Sequence, residues 1–82
     1  MSDQVLHLSI ISPDKRIFEG EASSVTLPGS AGSFTILAHH APIVSSLKKG
    51  TLTYVSSGNE QTVDIEGGFI EMSNEVVTVC IY

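Results

Sequence analysis

Apolar residues along this chain recur with period two almost from end to end. Leu6, Leu8 and Ile10 fall on one side of an extended segment, with Val5, His7, Ser9 and Ile11 on the other. The alternation returns at Val25 and Leu27, Phe34 and Ile36, Leu52 and Tyr54, Val63 and Ile65, Ile70 and Met72, and Val77, Val79 and Ile81. Successive side chains of a strand point to opposite faces, so this pattern marks half-buried antiparallel strands. Helical i, i+3, i+4 spacing is nowhere sustained.

Turn chemistry separates the runs. Ser12-Pro13-Asp14-Lys15 places Pro where it pre-sets φ, and Pro28-Gly29 suits a type II turn. Ser57-Gly58-Asn59 and Ser73-Asn74-Glu75 suit hairpins. Gly67-Gly68 interrupts an apolar stretch and predicts a bulge or a close backbone approach. The expectation is all-β, with roughly eight to ten short strands in a sandwich or barrel.

Composition narrows this further. With 82 residues the chain holds one domain, expected over 1–82. A chain this short buries roughly 60% of the surface its unfolded form exposes. It is 41% hydrophobic, which is globular, yet only 16% charged, against about 25% in an average domain. Such scarcity of charge implies that part of the surface is covered by something else. The net charge is −5, and the only basic residues are the pairs Lys15-Arg16 and Lys48-Lys49. Nucleic acid and anionic lipid both demand clustered cations, so neither is an expected direct partner.

The single cysteine, Cys80, excludes an internal disulfide framework. Met1-Ser2-Asp3-Gln4 has no basic segment leading into an apolar stretch, so no signal peptide is expected and a reducing cytosol is the default. No apolar run approaches the ~18 residues of a membrane span.

From Ala22 through Leu47 there is no Asp, Glu, Lys or Arg. Core strands can be charge-poor, but this stretch also contains turn material, Pro28 to Gly32 and Ala38 to Pro42. Small uncharged loops fit closely against a partner without desolvating charges.

Candidate chemistry is thin. His39-His40 is the only pair suggestive of a metal, but adjacent strand residues point to opposite faces, and neither His7 nor Cys80 has a ligand spacing to them. No metal and no cofactor are expected. No Gly-x-Ser-x-Gly elbow is present, and no Lys-Ser/Thr follows Gly67-Gly68 as a phosphate loop requires. Glu19/Glu21 and Asp64/Glu66 share strand faces at i, i+2, a spacing more typical of solvated faces than of acid–base pairs. Cys80 lies opposite the Val77/Val79/Ile81 face with no basic neighbour to activate it. The residues point to binding and away from catalysis.

Taken in order, the motifs resemble one family. Leu6 to Ser12, Ile17-Phe18-Glu19-Gly20 and Ser24-Val25-Thr26-Leu27-Pro28-Gly29 are similar to the start of the epsilon subunit of F-type ATP synthases. Gly29-Ser30-Ala31-Gly32-Ser33-Phe34-Thr35-Ile36-Leu37, then His40-Ala41-Pro42-Ile43-Val44, resemble that family's Gly-x-x-Gly-x-hydrophobic stretch and His-Ala-Pro loop. Leu47-Lys48-Lys49-Gly50, Gly67-Gly68-Phe69-Ile70-Glu71-Met72 and Val76-Val77-Thr78-Val79 complete the series. The resemblance runs from Leu6 to Tyr82, the family's N-terminal domain; the helical hairpin that usually follows has no counterpart in these residues.

The resemblance implies an antiparallel β-sandwich of about ten strands and a non-catalytic place in the rotor. It implies binding to the gamma subunit and to the polar loops of the membrane c-ring, coupling ion-driven rotation to ATP synthesis. Ring contacts would fall on Ser30, Ala31, Gly32 and Ser33, with His40 nearby, and gamma contacts on Ser12, Pro42 and Thr51. The implied location is the cytoplasmic face of the bacterial inner membrane, peripheral, with membrane association only through the complex. The family often has an acidic residue where Ser33 stands, able to meet a basic ring loop. Serine leaves attachment to hydrogen bonds and shape, a tolerable change because an exposed ion pair contributes only about 0–1 kcal/mol. The family's common Pro-Gly before the histidine is Ala38-His39 here.

Two other readings compete. An independent β-sandwich binding a ligand or peptide is open to any sandwich, but Phe18, Phe69 and Tyr82 are its only aromatic candidates for an exposed platform. An enzyme working through His39-His40 would need a retained metal.

Overall fold

Each predicted alternation forms a strand in the computed structural model, which describes residues 5–82; the expectation for Met1–Gln4 lies outside the described residues. The strands are β1 (Leu6–Ile11), β2 (Arg16–Ala22), β3 (Ser24–Gly29), β4 (Gly32–Leu37), β5 (Ile43–Leu47), β6 (Gly50–Ser56), β7 (Asn59–Ile65), β8 (Gly68–Ser73) and β9 (Val76–Ile81). Among the described residues there are thus nine strands, one fewer than the ten the resemblance implies, and no helix.

The strands form one curled sheet in the order β2-β1-β9-β8-β5-β3-β6-β7, with β4 on β3. Pairing is antiparallel except between β1 and β9, which run parallel with Leu8 against Val77 and Ile10 against Val79. Alternation in sequence reports which face a residue occupies and says nothing of strand direction, so this pair was not foreseeable from it.

The curl arises at β3. One edge of β3 pairs with β4 along its whole length, from Ser24↔Leu37 to Gly29↔Gly32. Its other edge is divided: Ser24 to Thr26 pair with β6, whereas Gly29 pairs with Leu47 of β5. Between them stands Pro28, which has no N–H to give a ladder, while its carbonyl accepts the Lys48 amide at 2.9 Å. The sheet therefore turns from one layer to the other at a residue that could not continue a regular central ladder. The type II turn expected at Pro28-Gly29 gives way to a turn two residues later, at Ser30-Ala31.

The layers close where β2 meets β6. Ser23 donates its amide to the Val55 carbonyl at 2.8 Å, and the Ser56 hydroxyl reaches the Glu21 carbonyl at 2.8 Å. Phe18 and Tyr54 pack with ring centroids 4.5 Å apart. Between the layers lies one apolar cluster in which Leu6, Leu8, Ile10, Val25, Leu27, Ile36, Leu52, Ile70, Val77 and Val79 are fully buried. Each such side chain contributes about 1.5–3 kcal/mol through removal from water.

Two hairpins use the expected turns. Ser57 and Gly58 have φ of 53° and 77°, and Asn74 and Glu75 have 52° and 65°, the double positive φ of a type I′ connection. At Gly68 the predicted close approach is realised: φ is 147°, and a Cβ there would lie 2.1 Å from the Cys80 carbonyl oxygen.

Candidate interaction surfaces

The outer face of β5, β8, β9, β1 and β2 is built from the residues that alternate with the core. Cross-strand register aligns Ser46, Phe69, Cys80, Ile11 and Arg16 in one row. The next row holds Val44, Glu71, Thr78, Ser9 and Glu19. Large apolar side chains stand out on this face: Val44 is 77% exposed, Tyr82 71% and Phe69 46%. Ile11, Ser12, Pro13, Phe69, Cys80 and Tyr82 line a shallow apolar groove at one end of it. On the β2 side the face becomes charged, where Glu19 pairs with both Arg16 and His7.

The predicted contact residues divide over the molecule. Ser12 is half-buried in the wall of the groove, its amide and hydroxyl both bonded to the Lys15 carbonyl. Pro42 is exposed just before β5, at the opposite end of the same face. Thr51 belongs to the other layer, on β6, where its hydroxyl donates to Asp64 at 3.0 Å. Ser12 and Pro42 thus frame one face, and Thr51 does not share it.

Ser30, Ala31, Gly32 and Ser33 are all exposed: Ser30-Ala31 form the β3–β4 turn and Gly32-Ser33 begin β4. This turn is fastened to the end of β5: the Ser30 amide donates to the Ser46 carbonyl at 3.1 Å, and the Ser46 hydroxyl to Ser30 Oγ at 2.8 Å. The expectation that His40 lies near this turn is not met. His40 follows the far end of β4, its amide bonded to the Leu37 carbonyl. At about 3.4 Å per strand residue, Ser33 and Leu37 stand roughly 14 Å apart. Proximity in sequence across a strand becomes separation in space.

The charge-free stretch proves to be two things. Val25, Leu27, Pro28, Gly29, Ile36 and Leu47 are buried, so part of it is core. Ser30 to Ser33, His39 to Pro42 and Val44 are exposed, and these are the uncharged surfaces that core packing does not explain.

His39 and His40 occupy a loop and not a strand, with His39 at φ 69°. His39 engages Glu75, Nδ1 to Oε2 at 2.9 Å, while His40 Nδ1 lies 2.6 Å from the Ala41 carbonyl. Among the described residues no three His, Cys, Asp or Glu side chains converge on a metal position. Glu66 faces Lys49 at 4.0 Å. Phe69 and Tyr82 are the exposed aromatics, whereas Phe18 is half-buried on Tyr54. In the sequence Val44 was marked only by its place in the uncharged stretch and at the end of the His-Ala-Pro motif.

Comparison with known proteins agrees with this architecture. Residues 5–81 match the family model described as ATP synthase, Delta/Epsilon chain, beta-sandwich domain. An ATP synthase epsilon chain of Rhodopseudomonas palustris (strain BisA53) is 41% identical over 73 residues, covering 89% of this chain and 54% of that protein. One from Caulobacter vibrioides is 36% identical over 74 residues, covering 90% of this chain and 86% of that protein. The chain thus spans about half the length of the Rhodopseudomonas relative. Among solved structures, a chain of the Euglena gracilis mitochondrial ATP synthase (OSCP/F1/c-ring) superposes with a TM-score of 0.88 at 24% identity, over 94% of this chain and 50% of that one. A chain of the Tetrahymena thermophila mitochondrial ATP synthase central stalk and c-ring gives 0.78 at 13% identity, over 93% and 62%. These two establish likeness of fold, and the family model spans nearly every described residue: the chain belongs to the ATP synthase delta/epsilon family, as its β-sandwich domain.

Proposed function

We propose that this chain, a single sandwich domain over 1–82, is a non-catalytic element of the central stalk of an F-type ATP synthase. It joins gamma to the c-ring so that ion-driven rotation reaches the catalytic head. The observation that carries this is the pairing of two adjoining surfaces of different character, left open among the described residues, on a sandwich of this family. One is the apolar face bearing Val44, Phe69 and Tyr82; the other is the uncharged segment from Ser30 to Ser33 at the end of the sandwich.

Gamma takes the face framed by Ser12 and Pro42, where apolar area is available for a lasting contact. The ring loops take Ser30, Ala31, Gly32 and Ser33, through backbone groups and small side chains. His40, at the other end of β4, belongs with the gamma face, and Thr51 faces neither surface. No helix among the described residues is long and apolar enough to cross a membrane. On the family reading, the domain is held at the membrane through the complex, on the cytoplasmic face of the bacterial inner membrane.

Two measurements test this together: co-purification with gamma, and ATP synthesis in cells lacking the chain. Stoichiometric capture of gamma and loss of ion-coupled synthesis are expected. Undiminished synthesis in the deletion strain contradicts the proposal.

A further inference from the structure

The loop between β4 and β5 adopts a backbone shape that its residues do not favour. His39 sits at φ 69°, and facing it the β8–β9 turn carries Asn74 and Glu75 at 52° and 65°. Left-handed conformations of residues with side chains are disfavoured and persist only where surroundings hold them. The two turn residues are accounted for by the two-residue hairpin. His39 stands third in the four-residue turn 37–40, closed by the His40 amide on the Leu37 carbonyl at 3.2 Å, where a type II turn takes positive φ. The usual occupant there is glycine or asparagine, and a second contact holds His39 in place.

That second contact is the Glu75 carboxylate. The His39 amide donates to both of its oxygens, at 2.9 and 3.1 Å, and His39 Nδ1 lies 2.9 Å from Oε2. A carboxylate receiving a backbone N–H makes a charge-assisted bond, stronger than one between neutral partners. Glu75 is itself fixed from behind, because its carbonyl accepts the His7 amide at 2.8 Å. The β8–β9 hairpin, anchored to β1, thereby grips the loop that leaves β4. Immediately after the gripped residue come His40, Ala41 and Pro42, all exposed, and then Val44 on the apolar face.

We propose that Glu75 is a positioning residue: its carboxylate holds His39 left-handed and so sets the course of the His40-Ala41-Pro42 segment toward a protein partner. The partner assignment rests on the gamma reading above; the grip itself does not.

Two substitutions separate these parts. Glu75→Gly removes the carboxylate while suiting the turn, since glycine accepts positive φ. In the full chain it is expected to speed hydrogen exchange at the His39 amide by about tenfold, as loss of a bond to a charged group does, and to weaken gamma binding severalfold. Adding His39→Gly is expected to restore gamma affinity, because glycine takes the required φ without a carboxylate. Unchanged exchange at the His39 amide overturns the grip. Failure of the added His39→Gly to restore binding overturns the positioning role, since general destabilisation is not cured that way. Faster exchange with undiminished gamma affinity overturns gamma as the occupant of this segment and supports the grip alone.

Discussion

Single residues set the tightest limits, and Gly68 sets the tightest of all. A side chain there meets two obstacles: a φ of 147° and a carbonyl oxygen 2.1 Å from the Cβ position. Gly32 meets only the first, with φ 138° and nothing within 4 Å. Gly68→Ala should therefore lower stability by about 3 kcal/mol and Gly32→Ala by about 1 kcal/mol. Urea unfolding at unchanged m-value reads both; equal losses would mean that the Cys80 carbonyl moves aside freely. The Gly67-Gly68 pair already signalled a close approach in the sequence, because an apolar strand has no other reason to forgo side chains. The grip on His39 carried no such signal, for it joins residues 36 positions apart.

At the scale of elements, alternation located the strands whose two faces differ most. β8 reads buried, exposed, buried, exposed through Gly68–Ser73. β5 escaped it because Ile43, Val44, Ser45 and Ser46 mix apolar and small residues on both faces. Its outward Val44, like Phe69 on β8, sits on a face that no element among the described residues covers. Replacing Phe69 with Asp should lower folding stability by about 1 kcal/mol, since roughly half of the side chain is already wet but a strand disfavours Asp. Gamma affinity should fall by on the order of 2 kcal/mol, the loss expected when an apolar anchor is replaced by a charge. Calorimetry on the folded variant checks both; full affinity would move gamma off this face.

For the whole molecule, fold class and core were legible because period-two burial is a local property written into each strand. Topology was less so. The parallel β1–β9 pair and the division of β3 between β5 and β6 depend on which strands meet, and no single stretch encodes that. The candidate sites follow the same rule. Ser30 to Ser33 lie together at one end of the sandwich, because four consecutive residues cannot part. His40 did not join them, since a six-residue strand carries the chain across the sandwich. Ser12 and Pro42, far apart in sequence, came to frame one face because β1, β9, β8 and β5 are neighbours. The two surfaces that result adjoin at Ser46, whose hydroxyl bonds Ser30 beside Phe69, so the proposed ring contact lies at one end of the face proposed for gamma.

Disulfide cross-linking in the assembled synthase tests that division most directly. On a Cys80→Ser background, a cysteine replacing Ala31 should cross-link to a c-ring loop cysteine and not to gamma. A cysteine replacing Phe69 should cross-link to gamma and not to the ring. Reversed partners, or no cross-link from either position in an active complex, would contradict the account.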